Sequence, residues 1–137
     1  MRVKCRPLSK GKASGEALVS PEPISFFGGV DPGDGRILDE GNPIRGKSVA
    51  GKILVFPRGK GSTVGSYVIY QLKLNGKAPS AMICVEADPV VVVGAIVAGI
   101  PLVDRPESFP FRDGQLLFVN ADEGYVEVSE RSRRRNS

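Results

Sequence analysis

The residues best placed to do chemistry lie in one stretch, Lys52-Ile-Leu-Val-Phe-Pro-Arg-Gly-Lys-Gly-Ser-Thr-Val-Gly-Ser66. Its order predicts a strand, then a glycine-rich turn carrying Arg58 and Lys60, then a helix beginning near Ser62 and Thr63. Amide groups at the start of a helix lack internal partners and sit at the positive end of the helix dipole, so they attract anions. Two cations strengthen that preference, and Gly59 and Gly61 let the backbone approach a ligand closely. The spacing does not fit the Gly-x-x-x-x-Gly-Lys-Ser/Thr phosphate loop. Ser62 therefore has two readings. It caps the helix, as serine ordinarily does, or its alkoxide, stabilised by amides and an arginine, takes a proton from carbon.

A second stretch, Ser25-Phe-Phe-Gly-Gly-Val-Asp-Pro-Gly-Asp-Gly-Arg36, pairs glycines with an Asp-Pro-Gly turn. Asp31 either points to a ligand or closes its own turn, and Asp34 reads as part of a plain connection. The loop lacks the oxygen-ligand spacing of an EF-hand. Cys84 stands in the apolar run Ala81-Met-Ile-Cys-Val85 and reads as an inert buried thiol.

What is missing narrows the chemistry. The chain has no histidine, which removes Ser-His and Cys-His catalysis and the common imidazole base. Its two cysteines, Cys5 and Cys84, are far apart and cannot by themselves hold an iron–sulfur cluster or a structural zinc, each of which needs about four ligands. Without tryptophan and with nine Phe and Tyr residues, there is little material for a base-stacking platform. Proton transfer here falls to Ser, Thr, Lys, Arg, Asp, Glu, the backbone or a partner.

The elements that must position these groups fit one domain. At 137 residues with 41% hydrophobic content, the chain can bury a single core. No apolar run reaches the ~20 residues of a membrane helix, and the N-terminus has no apolar stretch typical of a secretory signal, so a cytoplasmic protein without a membrane partner is expected. The net charge is +4, but Arg131, Arg133, Arg134 and Arg135 against Glu130 supply +3 of it, leaving residues 1–129 at +1. The basicity belongs to a tail, 130–137, which reads as a solvated, disordered end rather than a nucleic-acid-binding arm.

Short strands are expected at Val3–Arg6, Glu16–Val19, Ile24–Phe27, Arg36–Leu38 and Lys52–Phe56. Val64, Val68, Leu72 and Tyr67, Gln71, Leu74 then repeat at helical spacing, and Asn75-Gly76 supplies the stop. Ala81–Val85 suits a strand buried on both faces. Asp88-Pro89 before four valines and Gly99 after them favour a short buried helix over 90–98. Ile100–Asp104, Gln115–Asn120 and Tyr125–Ser129 close the chain as strands. A β-rich start followed by helix–strand units implies an α/β layering, with helices on a mainly parallel sheet and a second β layer beside it.

Phe27-Gly-Gly-Val-Asp-Pro32, Pro57-Arg-Gly-Lys-Gly-Ser-Thr-Val-Gly-Ser-Tyr67, Lys77-Ala-Pro79 and Gly94-Ala-Ile-Val-Ala-Gly-Ile-Pro101, in that order, resemble the aconitase X swivel-domain family. The resemblance runs from about Gly11 to Asp122. It implies a swivelling β/β/α domain over residues 1–129 and a separate large subunit that holds a [4Fe–4S] cluster. It further implies that Ser62 is the proton acceptor; the residues themselves suggest Arg58, Gly61, Thr63 and Asp31 as the groups around a phosphorylated hydroxy-acid substrate. The implied reaction is loss of water from (R)-5-phosphomevalonate to give trans-anhydromevalonate 5-phosphate in isoprenoid synthesis, with the partner's iron accepting the leaving hydroxyl. Two other readings stand beside it. One is a swivel subunit acting on a different hydroxy acid; the other is a non-catalytic anion-binding or scaffold domain of the same fold.

Overall fold

A computed structural model describes residues 1–132. In chain order the elements are β1 (Arg2–Lys4), β2 (Arg6–Ser9), β3 (Lys12–Val19), α1 (Phe26–Gly29), β4 (Ile53–Phe56), α2 (Gly65–Leu74), β5 (Ala81–Cys84), α3 (Pro89–Ala98), β6 (Leu102–Asp104), β7 (Gln115–Asn120) and β8 (Tyr125–Ser132). The strands hydrogen-bond in the order β1-β8-β7-β3-β4-β5-β6-β2. β3, β4, β5 and β6 run parallel to their neighbours, while β2 pairs antiparallel with β6. The other end of β3 pairs antiparallel with β7, so one eight-residue strand serves both halves.

Alternation along the parallel strands explains the layers. Leu54 and Phe56 of β4, with Met82 and Cys84 of β5, face a core built with Val68, Ile69 and Leu72 of α2 and Val91 and Ala95 of α3. Ile53, Val55, Ala81 and Ile83 face the other way, against Leu117, Val119, Val126 and Val128 of β7 and β8. Successive strand residues point to opposite faces, so a strand covered on both sides must be apolar throughout. β4 and β5 are, with all eight residues buried. At about 1.5–3 kcal/mol per large apolar side chain buried, these two strands bind all three layers together. The architecture is the expected β/β/α sandwich of antiparallel sheet, parallel sheet and helices.

Local signals are realised where the chain satisfies itself. Asp88 caps α3, accepting from the amides of Val90 and Val91, and Gly99 ends the helix at φ +70°. The strand expected at Ile24–Phe27 is not formed. Ile24 makes one parallel bridge to Gly59, and then the Ser25 hydroxyl donates to the Phe27 carbonyl and Gly28 turns the chain at φ +88°. Arg36 and Ile37 likewise make only isolated bridges. At the C-terminus, β8 runs three residues past the boundary at 129, because Ser132 pairs in register with Gln115. Residues 133–137 of the basic tail lie outside the described residues. No helix among the described residues is long and apolar enough to cross a membrane.

Candidate functional site

The glycine-rich turn leaves β4 at the carboxyl edge of the parallel strands, where ligands of open α/β sheets ordinarily bind. Arg58, Lys60, Gly61, Ser62 and Thr63 are all exposed. The turn is held at three points. Ile24 donates to the Arg58 carbonyl at 3.1 Å and accepts from the Lys60 amide at 3.0 Å. The Gly59 amide donates to Asp88 Oδ1 at 2.7 Å. Lys60 Nζ lies 3.8 Å from Asp39 Oδ2, so this cation is engaged within the chain.

The helix does not begin at Ser62. It starts at Gly65, and Val64 occupies the cap position with no side-chain cap. The reason is local: Ser62 Oγ accepts from the Val64 amide at 3.1 Å and the Ser62 carbonyl from the Gly65 amide at 3.0 Å, closing a turn of its own ahead of α2. The amides of residues 64–67 are thus spent internally. The free donors are one step earlier, at Gly61, Ser62 and Thr63, whose amides donate to no other described residue. Arg58 forms no ion pair among the described residues. An exposed serine, three open amides and an open guanidinium within six residues can together receive an anion or stabilise an alkoxide.

The two glycines also have a physical reason inside the protein. A Cβ on Gly59 would lie 2.7 Å from Val91 Cγ2, and one on Gly61 would lie 2.6 Å from Ser25 Oγ. A side chain at either position would collide with the protein itself. Sequence reasoning missed Ser25 and the second bond of Asp88, since neither partner is near the turn in the chain.

Asp31 closes a turn of its own. Its Oδ1 accepts from the Gly33 amide at 2.8 Å, and the neighbouring Pro32 carbonyl accepts from Asn75 at the C-terminus of α2. Ser62 precedes the N-terminus of that helix, and ten residues at 1.5 Å each separate its ends by about 15 Å. The self-closed turn takes Oδ1, while Oδ2 lies 4.0 Å from the Arg36 guanidinium. Asp34 accepts from the backbone and guanidinium of Arg36, which hold its carboxyl below the usual range.

The thiols do not suit a cluster. Cys84 belongs to the helix-side core and Cys5 packs against the core on the opposite face. Burial, with Glu107 and Asp104 adding, pushes the Cys5 thiol up to about 11, and burial raises Cys84 well above its ordinary value, so both remain protonated at neutral pH. No group of three or more His, Cys, Asp or Glu among the described residues could hold a metal ion.

Fold and turn together define a swivel-type β/β/α domain that carries an exposed serine turn on its sheet edge. The sequence profile of the aconitase X swivel domain matches residues 2–128, and the chain belongs to that family. It is 58% identical over 130 residues to the phosphomevalonate dehydratase small subunit of Thermococcus onnurineus, covering 95% of this chain and 100% of that one. The subunit of the same name from Methanothermobacter thermautotrophicus is 53% identical, over 92% of this chain and 98% of its own. Among solved structures, the holo-form of Thermococcus kodakaraensis aconitase X superposes with a TM-score of 0.92 at 54% identity, covering 95% of this chain and 99% of that one. A UPF0107 protein solved in solution by NMR superposes at 0.88 and 50% identity, covering 95% and 100%.

Proposed function

We propose that this chain is the small subunit of a phosphomevalonate dehydratase, a cytoplasmic hydro-lyase active only in complex with a large subunit. The observation that supports the reading is the turn itself: Arg58 and the amides of Gly61 and Thr63 stand in solvent without partners among the described residues, and the exposed Ser62 hydroxyl accepts one bond from the Val64 amide while its own O–H donates to no described residue. A rigid domain that presents such groups on an exposed edge supplies half of a site, and closure against the other half excludes water and completes it.

In this reading Ser62 removes the proton beside the carboxylate of (R)-5-phosphomevalonate, and loss of the hydroxyl gives trans-anhydromevalonate 5-phosphate. The alkoxide form of Ser62 is stabilised by the open amides, and Arg58 grips an anionic group of the substrate. The [4Fe–4S] cluster that the resemblance implies does not fit this chain's thiols, and its ligands belong to the large subunit. Co-expression with the large subunit and an anaerobic dehydration assay test the reading. Water loss from phosphomevalonate by the complex, and none by either subunit alone, is the expected result; a complex that forms and leaves this substrate untouched overturns it.

A further inference from the structure

We propose that Asp88 is a positioning residue, which fixes the turn carrying Arg58 and Ser62 by sharing one carboxylate between that turn and α3. The inference rests on the reading of the Ser62 turn given above and adds a residue to it. It starts from the bridge between Ile24 and Gly59. That bridge uses the carbonyl of Arg58 and the amide of Lys60, so the amide of Gly59 itself is turned away from Ile24. It meets Asp88 Oδ1 at 2.7 Å, among the shortest backbone-to-side-chain bonds in the chain. The other carboxylate oxygen, Oδ2, accepts from Val90 and Val91 at 3.2 and 3.4 Å and caps α3.

Capping needs only one oxygen, and Ser, Thr or Asn supplies it. The second oxygen is surplus to the helix and is committed to the turn three residues before Ser62. The backbone of Gly59 is also seated directly on α3, where a Cβ would meet Val91 Cγ2 at 2.7 Å and Asp88 Oδ1 at 2.9 Å. Asp88 is in turn held from behind. The amide of Ala87 donates to Asp104 Oδ2 at 2.9 Å, and Asp104, fully buried, takes two bonds from the Arg6 guanidinium at 2.8 and 2.9 Å. A continuous set of bonds thus runs from β2 and β6 through Asp88 to the Ser62 turn. A reacting group misplaced by about 1 Å loses on the order of a hundredfold in rate, so such a support governs turnover without touching substrate.

Two variants separate the two duties of Asp88. Asp88→Ser keeps a capping oxygen and gives up the reach to Gly59. Asp88→Asn keeps the shape but sets an NH2 group against one of the two sets of amides. Amide hydrogen exchange on the full chain is the first readout. Exchange at Gly59 is expected to rise on the order of tenfold or more in both variants, while the interior of α3 stays protected in Asp88→Ser. In the complex with the large subunit, kcat is expected to fall roughly 10–100-fold with KM changed less than threefold, since the substrate-gripping groups remain present. Unchanged exchange at Gly59 in both variants overturns the proposal, as does raised exchange with wild-type kcat. If the wild-type complex dehydrates no phosphomevalonate, the functional reading fails, and Gly59 exchange alone decides whether Asp88 holds the turn.

Discussion

A side chain on residue 61 and the hydroxyl of Ser25 compete for one place: a Cβ built on Gly61 lies 2.6 Å from Ser25 Oγ. Gly61 also holds φ +88°, a conformation that L side chains adopt at a cost. Both effects act on the residue just before Ser62.

Gly61→Ala is therefore expected to destabilise the fold by about 1–3 kcal/mol, the range for a left-handed non-glycine residue with added crowding. Adding Ser25→Gly removes the crowding and leaves the backbone strain. Thermal unfolding of the two single variants and the double variant measures the coupling. Strict additivity would mean that the two residues do not meet.

Ser62→Ala separates chemistry from folding. Since Ser62 is not the cap of α2 and gives up only one exposed bond to the Val64 amide, stability should change by no more than about 0.5 kcal/mol. In the complex, kcat should fall by on the order of 10²–10⁴, the usual contribution of a general acid–base group. Exchange of the substrate C2 proton with deuterated solvent reports the proton step alone. Exchange that persists in the variant would return Ser62 to a structural role.

Arg58→Ala gives a complementary result. Its guanidinium has no ion pair among the described residues, so folding should be unaffected. A rise in KM with kcat retained marks an arginine that grips substrate in ground and transition state alike. Steady-state kinetics of the complex provides the check, and an unaltered KM and kcat would remove Arg58 from the site.

What was legible in the sequence was whatever neighbours decide among themselves. The run Ala81–Val85 announces a strand covered on both faces; β5 has no exposed residue, but it ends at Cys84 and Val85 is exposed. Asp88-Pro89 announces a helix start, and both residues stand where that pattern puts them. Gly59 and Gly61 were legible as special, but their close contacts with Val91, Asp88 and Ser25 were not, because those residues come from elsewhere in the chain. The onset of α2 escaped for a subtler cause. Ser62 has the side chain of a cap, yet its hydroxyl closes a tighter turn two residues before the cap position. The setting of Asp31 depends on Asn75 holding the adjacent Pro32 at the C-terminus of α2, a contact across 43 residues.

The thiols make a prediction about alkaline pH. The folded state disfavours the Cys5 thiolate, raising its pKa from 9.0 to about 11, whereas an unfolded chain ionises near the ordinary value. The resulting stability is complete below pH 9 and is lost as pH rises toward 11. Cys84, also raised, acts in the same direction. Unfolding followed between pH 8 and 11 should therefore show a shallower decline for Cys5→Ser than for the wild-type chain. Parallel curves would contradict the burial of this thiol.

The pairing of first strands with last ones has a consequence in time. β1 pairs with β8, β2 with β6, and β3 with β7, so each strand before residue 20 has a partner beyond residue 100. A ribosome adds roughly 5–20 residues per second, and about 100 residues must follow before those partners exist. For on the order of ten seconds, β1 and β2 leave the ribosome with no partner to close upon and their edges are open to aggregation and to chaperones, while β3 can pair with β4 once residues 53–56 emerge. The β2 edge of the parallel half and the whole antiparallel half then wait on the same late event, the arrival of the C-terminal strands.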